Sequence, residues 1–125
     1  VVALGYILFA AHLPLFREVL SQQAGYFIQY PAAKYAMAAM AIGIAPFAEE
    51  YLFRGLLFRA LDREWGGWRA IVGSALFFAV YHSPYSWVPV LALGIFNAWL
   101  FKHTRSLWPC VLAHMAYNTV VTLAA

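Results

Sequence analysis

Two adjacent carboxylates, two histidines and an asparagine lie within otherwise apolar stretches of the sequence. They are Glu49, Glu50, His82, His114 and Asn118. A carboxylate with two imidazoles and an amide is a workable set for peptide hydrolysis. The carboxylate can take a proton from water, while the other groups share that proton or donate hydrogen bonds to an oxyanion. Ion pathways and hydrogen bonding between membrane helices use the same residue types, so the residues by themselves leave these alternatives open.

Spacing separates the roles of the two carboxylates. Glu50 and Arg54 are four residues apart, so they share a helix face and are expected to form an ion pair. Glu49 points about 100° away from Glu50 around the helix, which leaves its carboxylate to face a cavity. We therefore assign Glu50 and Arg54 to structural support of the site, and Glu49 to chemistry as the general base.

The composition predicts that these groups lie in a membrane. The 125 residues are 65% hydrophobic and 10% charged, whereas a soluble domain carries about 25% charged residues. The basic residues are scattered without a run of four, so nucleic-acid binding has no support. The predicted class is all-α: a polytopic transmembrane bundle of about four to five helices. It forms one membrane-embedded domain over residues 1–125.

Apolar runs between polar or glycine-containing segments predict four helices. They cover about residues 34–61, 70–82, 87–101 and 107–124. Pro46 is expected to kink or divide the first of them. Residues 62–69 and 102–105 are predicted to be loops, and residues 83–85 a turn. Residues 1–11 are interpreted as the end of a preceding helix, and the remaining residues up to 32 as a loop or interfacial segment. Such an arrangement is expected in a fragment of a longer membrane protein.

Counting along the predicted helices brings the polar side chains to similar depths. With a rise of about 1.5 Å per residue, Glu49 and His82 each lie about 20 Å from the basic loop at their own helix end. On the last helix, His114 lies about 12 Å and Asn118 about 18 Å from the basic loop. The sequence therefore predicts one polar layer to which three helices contribute.

The positive charges favour one orientation in the membrane. The segments after the first and third helices must lie on the same side, and both are basic, whereas the turn before the third helix has no Lys or Arg. Cytoplasmic loops are enriched in Lys and Arg. We therefore predict a multi-pass protein of a bacterial-type plasma membrane with these basic loops in the cytoplasm. The basic residues concerned are Arg59, Arg63, Arg69, Lys102 and Arg105.

Three motifs, in order, resemble those of the CPBP family of CAAX proteases and bacteriocin-processing enzymes, also called the Abi family. EEYLFRG at residues 49–55 fits EExxxR, FAVYH at residues 78–82 fits FxxxH, and HMAYN at residues 114–118 fits HxxxN. All three fall within residues 33–124, each on an apolar segment. The resemblance implies an all-helical membrane endopeptidase, acting on CAAX-type prenyl proteins or on peptides at the bilayer.

Carried over position by position, the resemblance implies a role for each motif residue. Glu49 would be the catalytic glutamate, and His82 would help it to activate water. His114 and Asn118 would complete the site and support the oxyanion. A bacteriocin maturation or immunity protein, or a non-catalytic membrane scaffold, is the alternative within the family. A proton-coupled transporter is the alternative outside it.

The sequence leaves the cofactor unknown. A divalent metal such as Zn²⁺ would use Glu49, His82 and His114, because catalytic zinc sites of the His₂Glu type use the same donors. The sequence has no HExxH helix, which is the usual two-histidine zinc arrangement. A metal-free mechanism driven by the glutamate needs the same three residues, and we favour it slightly.

Overall fold

The computed structural model describes residues 12–124, which form five helices and no strand. They are α1 (Pro14–Gln29), α2 (Pro31–Glu64), α3 (Gly67–Tyr81), α4 (Trp87–Thr104) and α5 (Leu107–Ala124), with a 3₁₀ turn at Pro84–Ser86. The all-α prediction is confirmed. The helix end predicted before residue 12 lies outside the described residues.

Among residues 12–124, three helical segments are long and apolar enough to cross a bilayer. They are Pro31–Glu64, Pro84–Thr104 and Leu107–Ala124. Helix α3 is apolar but has only 15 residues, or about 22 Å of helix. Large hydrophobic side chains such as Ile28, Phe77 and Leu123 are exposed, as expected where lipid replaces water. The chain is a polytopic membrane protein.

Both predicted basic loops are shorter than expected. Residues 62–64 continue α2 and residues 67–69 already belong to α3, so the chain turns at Gly66, which has φ +65°. Residues 102–104 continue α4, and Arg105 ends it with φ 55°. The loop prediction at these positions is wrong because polar residues mark the edge of the apolar region, and a helix can extend past that edge.

The segment before the first predicted helix is itself helical. Pro14 begins α1, where the fixed φ of proline favours the first helical turn and its missing N–H costs nothing. Helix α1 ends before Tyr30, which has φ −127° and ψ 73°. Pro31 follows Tyr30, and helical backbone angles are unfavourable for a residue that precedes a proline. The loop prediction for this segment is therefore wrong, while its interfacial location stays a prediction.

Helix α2 continues through Pro46 instead of dividing there. Residues Met40–Ile44 form a π-helical turn, after which the Ala45 N–H donates to the carbonyl five residues back. Proline lacks an N–H and crowds the carbonyl four residues earlier, and a wider turn accommodates both effects. A second π-helical segment covers Tyr51–Phe58. The stretch Ala45–Glu50, which carries both carboxylates, is therefore an α-helical section between two wide ones.

Helices α3 and α4 approach each other through small residues. A Cβ atom added to Gly94 would lie 3.1 Å from Ala75 Cα, and small residues allow such close contact between membrane helices. Two buried apolar clusters join these helices to α2. One contains Phe53, Phe78, Ala79, Val90 and Leu93, and the other contains Phe58, Ala70, Ala98, Phe101 and Cys110 of α5.

The basic ends of α2 and α4 lie together. Lys102 Nζ donates to Asp62 Oδ1 at 2.8 Å, and Arg105 Nη1 is 3.7 Å from Asp62 Oδ2. These contacts place the two basic connections at the same end of the bundle, as the parity of the predicted helices requires.

Candidate active site

Glu49, His82 and His114 meet although they come from α2, from the residue after α3 and from α5. Glu49 Oε2 lies 3.5 Å from His82 Nε2 and 3.7 Å from His114 Nε2. The side chains of Glu49 and His82 are 21% and 24% exposed, whereas that of His114 is 3% exposed. The site is therefore open beside Glu49 and His82, and His114 forms its buried wall.

In both histidines, a hydrogen bond at Nδ1, the ring nitrogen that points away from Glu49, fixes the tautomer. His82 Nδ1 is 2.8 Å from the Phe78 carbonyl oxygen, and His114 Nδ1 is 2.8 Å from Glu50 Oε1. A carbonyl and an ionised carboxylate can only accept, so each Nδ1 carries a hydrogen and donates it. In the neutral rings both Nε2 atoms therefore present a lone pair to Glu49.

Three acceptors thus face one another around the Glu49 carboxylate. Oε2 of Glu49 is enclosed and has no hydrogen-bond partner among residues 12–124. One added proton can be shared between the carboxylate and either imidazole once the two groups approach from 3.5 or 3.7 Å to hydrogen-bonding distance. An arrangement that holds and transfers one proton is the one that general acid–base catalysis requires.

Glu50 is fully buried and accepts three hydrogen bonds at one oxygen. Its Oε1 is 3.1 Å from Arg54 Nη1, 2.9 Å from Asn97 Nδ2 and 2.8 Å from His114 Nδ1. The expected pair with Arg54 is present, with both side chains 0% exposed. A buried carboxylate is tolerated only when its partners replace water. Glu50 therefore joins α2 to α4 and α5, and its bond to Nδ1 orients the His114 ring.

The Phe78 ring contacts three charged or titratable side chains of the site. Its ring centroid is 4.4 Å from the Arg54 guanidinium carbon, and the ring packs edge-on against the imidazoles of His82 and His114. Because the Phe78 carbonyl also accepts from His82, the four-residue spacing of the FxxxH motif has a direct structural cause. A helix places the side chain of residue i+4 beside the carbonyl of residue i.

Asn118 bonds to the backbone of α2 beside the π-helical turn. Its Nδ2 donates to the Ala41 carbonyl at 2.7 Å. The usual α-helical donor to that carbonyl is the Ala45 N–H, which bonds one residue earlier in the chain. The next candidate, Pro46, has no N–H. Asn118 thus satisfies an acceptor that the proline leaves open, and it makes no hydrogen bond to Glu49.

The Nδ1 hydrogen bonds of the two histidines match those of metal-binding histidines. In such histidines Nδ1–H donates to a carbonyl or carboxylate, and Nε2 is free to bind the metal ion. Within the described part of the chain, however, no group of three or more His, Cys, Asp or Glu side chains is arranged to hold a metal ion. The separations of 3.5 Å and 3.7 Å between Glu49 Oε2 and the two Nε2 atoms also exceed those of a charge-assisted hydrogen bond, so the side chains must move closer to share a proton.

Two residues make contacts in the site that the sequence analysis did not predict. Asn97 of α4 donates to the Cys110 carbonyl at 3.1 Å and to Glu50 Oε1 at 2.9 Å, and none of the three motifs includes it. Its position as the polar residue inside the apolar run of α4 is the signal that could have indicated this role. The indole of Trp87 donates to the His82 carbonyl at 3.0 Å, and nothing in the sequence indicates that bond.

Comparisons with known proteins agree with the helical bundle and the polar cluster. Residues 31–120 match the family described as type II CAAX prenyl endopeptidase Rce1-like, a range that includes all of the candidate site residues. The putative membrane peptidase YdiL of Bacillus subtilis (strain 168) is 28% identical over 81 residues, which are 64% of this chain and 33% of that relative. The chain therefore spans about a third of the length of this relative. No solved structure matches.

Proposed function

Because the chain belongs to the Rce1-like family of type II CAAX prenyl endopeptidases, we propose that it hydrolyses peptide bonds in the membrane with Glu49 as general base. The observation that carries this proposal is the convergence on Glu49 Oε2 of His82 Nε2 at 3.5 Å and His114 Nε2 at 3.7 Å. An ionisable cluster at bilayer depth is costly and is rarely kept without a function.

In the proposed reaction, a water molecule beside Glu49 attacks the carbonyl carbon of the scissile peptide bond. Its proton passes to the Glu49 carboxylate as the new C–O bond forms, which leaves a negatively charged tetrahedral intermediate. The C–N bond then breaks, and the proton moves from Glu49 to the departing amine. His82 is the more exposed imidazole and stands beside Glu49, so we assign it to orienting the water or relaying this proton.

His114 and Asn118 are proposed to stabilise the oxyanion. With Nδ1 donating to Glu50 Oε1, His114 can donate from Nε2 only as an imidazolium. An amide nitrogen has two N–H groups, and Asn118 uses one of them on the Ala41 carbonyl. We assign its second N–H to the oxyanion. Hydrogen bonds that strengthen as this charge develops lower the barrier.

We propose prenylated protein or peptide tails of the CAAX type as the substrate class, in keeping with the family's description. The test is incubation of the purified full-length protein with a farnesylated CAAX peptide and its unprenylated twin, with products identified by mass spectrometry. Preferential cleavage of the farnesylated peptide is expected. Cleavage of a bacteriocin leader peptide instead would change the substrate class, and a folded protein that cleaves none of the three would end the enzymatic proposal.

Metal chelation distinguishes a metal-free mechanism from a metal-dependent one, since both would use Glu49, His82 and His114. We expect EDTA and 1,10-phenanthroline to leave the cleavage rate unchanged within about twofold, because Glu49 can act as a general base without a metal ion and the sequence has no HExxH helix. The measurement is the rate after dialysis against each chelator. Loss of activity that Zn²⁺ restores would instead assign Glu49, His82 and His114 as metal ligands.

We further propose that the protein lies in a bacterial-type plasma membrane with the basic ends of α2 and α4 in the cytoplasm. The support is the charge distribution, because Asp62, Lys102 and Arg105 meet at one end of the bundle. The opposite turn at Pro84–Ser86 has no Lys or Arg. Such an asymmetry is typical of cytoplasmic loops.

A further inference from the structure

A cavity of about 530 Å³ lies at the basic end of the bundle, remote from Glu49. Arg59, Asp62, Arg63 and Arg105 line it. Arg59 is ten residues beyond Glu49 in the sequence, or about 15 Å along α2. The residues of the proposed reaction do not line this cavity, so it requires an explanation of its own.

The charge in this cavity is strongly positive. Asp62 is the acidic residue among the four that line it, and its Oδ1 already accepts a hydrogen bond from Lys102 at 2.8 Å. The remaining contact of Asp62, with Arg105 at 3.7 Å, involves an arginine side chain that is 65% exposed, and solvent weakens such a pair. Three arginines thus line a space whose carboxylate already accepts a hydrogen bond from a lysine.

Two of the arginines are partly fixed by neighbouring groups. The guanidinium of Arg59 lies over the Phe101 ring, 5.3 Å from its centroid. Arg63 Nε donates to the Arg59 carbonyl at 3.3 Å, which leaves the terminal nitrogens of Arg63 to point elsewhere. Arginines that are held before binding lose less entropy when they form paired hydrogen bonds to a phosphate group.

Arg105 has an unusual backbone conformation for its residue type. Its φ of 55° and ψ of 19° are left-handed, and it is the one non-glycine residue with positive φ in the described part of the chain. Glycine is the usual residue where a helix ends in this conformation, because a Cβ atom strains it. A long cationic side chain therefore occupies a position at which glycine would carry less strain.

We propose that this cavity binds a phosphate group, and that its source is the headgroup of an anionic phospholipid. The site lies where helices end, with the exposed indoles of Trp65 and Trp68 close by in the sequence. Tryptophan and arginine at helix ends are typical of the headgroup layer of a bilayer. Arginine binds phosphate oxygens in pairs, and a bound headgroup would connect the ends of α2 and α4.

The test compares thermal unfolding of the purified full-length protein in mixed micelles of defined composition. Phosphatidylglycerol is the probe, phosphatidylcholine is the zwitterionic control, and inorganic phosphate at the same concentration is the free anion. Phosphatidylglycerol at roughly ten times its dissociation constant is expected to raise Tm by roughly 3–6 °C. Phosphatidylcholine should not raise it, and added NaCl should reduce the shift because these charges are exposed.

The Arg105→Gly variant distinguishes the effect of the cationic side chain on lipid binding from the effect of backbone strain on stability. Glycine relieves the left-handed strain, so Tm without lipid should stay equal or rise, whereas the shift caused by phosphatidylglycerol should fall by at least half. Arg63→Gln should reduce the shift in the same way. Arg69→Gln is the matched control, because Arg69 is an exposed arginine of α3 that does not line the cavity, and it should keep the full shift.

Other results of these measurements would overturn the phosphate site or its assignment to a lipid headgroup. Equal shifts with phosphatidylglycerol and phosphatidylcholine, or a full shift in the Arg63→Gln/Arg105→Gly double variant, would overturn the site. An equal shift with inorganic phosphate that both substitutions abolish would support the phosphate site and overturn its assignment to a lipid. Cleavage activity is not the readout, so failure of this proposal is distinguishable from failure of the proposed reaction.

Discussion

Replacing Glu49 with Gln is expected to lower kcat/KM for peptide cleavage by about 10²–10⁴-fold, the contribution typical of a general base. Glutamine has nearly the same shape but cannot take a proton from water. Its NH₂ group can donate to the Nε2 atoms that lie 3.5 Å and 3.7 Å from Glu49 Oε2. We therefore expect the folded state to be as stable as the wild type. Cleavage rate and thermal unfolding of the same preparation provide the measurement.

Glu64→Gln is the matched control for this substitution. Glu64 is exposed at the last position of α2, so the same chemical change there should leave both cleavage and unfolding unaltered. Cleavage by the Glu49→Gln protein at the wild-type rate would refute the assignment of Glu49 as the base. A large loss of stability in that variant would indicate instead that Glu49 is needed for folding.

Arg54→Met should have the largest effect on stability. Both side chains of the Arg54–Glu50 pair are 0% exposed, and removal of one partner from a buried ion pair costs about 3–5 kcal/mol. The substitution also leaves the Gly94 carbonyl without the donor that Arg54 Nη2 supplies at 3.0 Å. We expect a lower yield of folded protein and a strongly reduced Tm, measured by thermal unfolding in detergent.

The double variant Glu50→Gln/Arg54→Met distinguishes an unpaired charge from lost packing. Glutamine is neutral and can still accept from Asn97 and His114, the other two donors to Glu50. If the cost arises from the buried charge, the double variant should be more stable than Arg54→Met alone. A single variant with wild-type Tm but slow turnover would place Arg54 in catalysis instead of structural support.

The sequence was sufficient to predict directions within one helix, because the helical repeat fixes them. The angular offset between Glu49 and Glu50 predicted that Glu50 would pair with Arg54 while Glu49 would face a cavity, and the Glu50–Arg54 distance agrees. The bond from His114 to Glu50 could not be predicted. It depends on how α5 is rotated against α2, and no local pattern records that rotation.

Helix ends and backbone irregularities were harder to predict than contacts. Helix α1 was missed because its polar residues resemble a loop. The extensions at residues 62–64 and 102–104 were missed because charge marks the membrane edge without ending a helix. The widened turn before Pro46 and the bond from Asn118 to the Ala41 carbonyl follow from proline chemistry only once both helices are in place. Proline alone predicts a kink equally well.

The short length of α3 has a consequence for how water reaches the candidate site. About 22 Å of helix in α3, with its 15 residues, cannot traverse a hydrocarbon layer of about 30 Å. We therefore expect the corner that the chain forms at His82 to lie below the membrane surface. That corner satisfies part of its own backbone, through the Trp87 indole on the His82 carbonyl and the bond from the Ser86 N–H to the Ser83 carbonyl. It can therefore keep its shape, and we expect water to reach Glu49 and His82 beside it, whose side chains are 21% and 24% exposed.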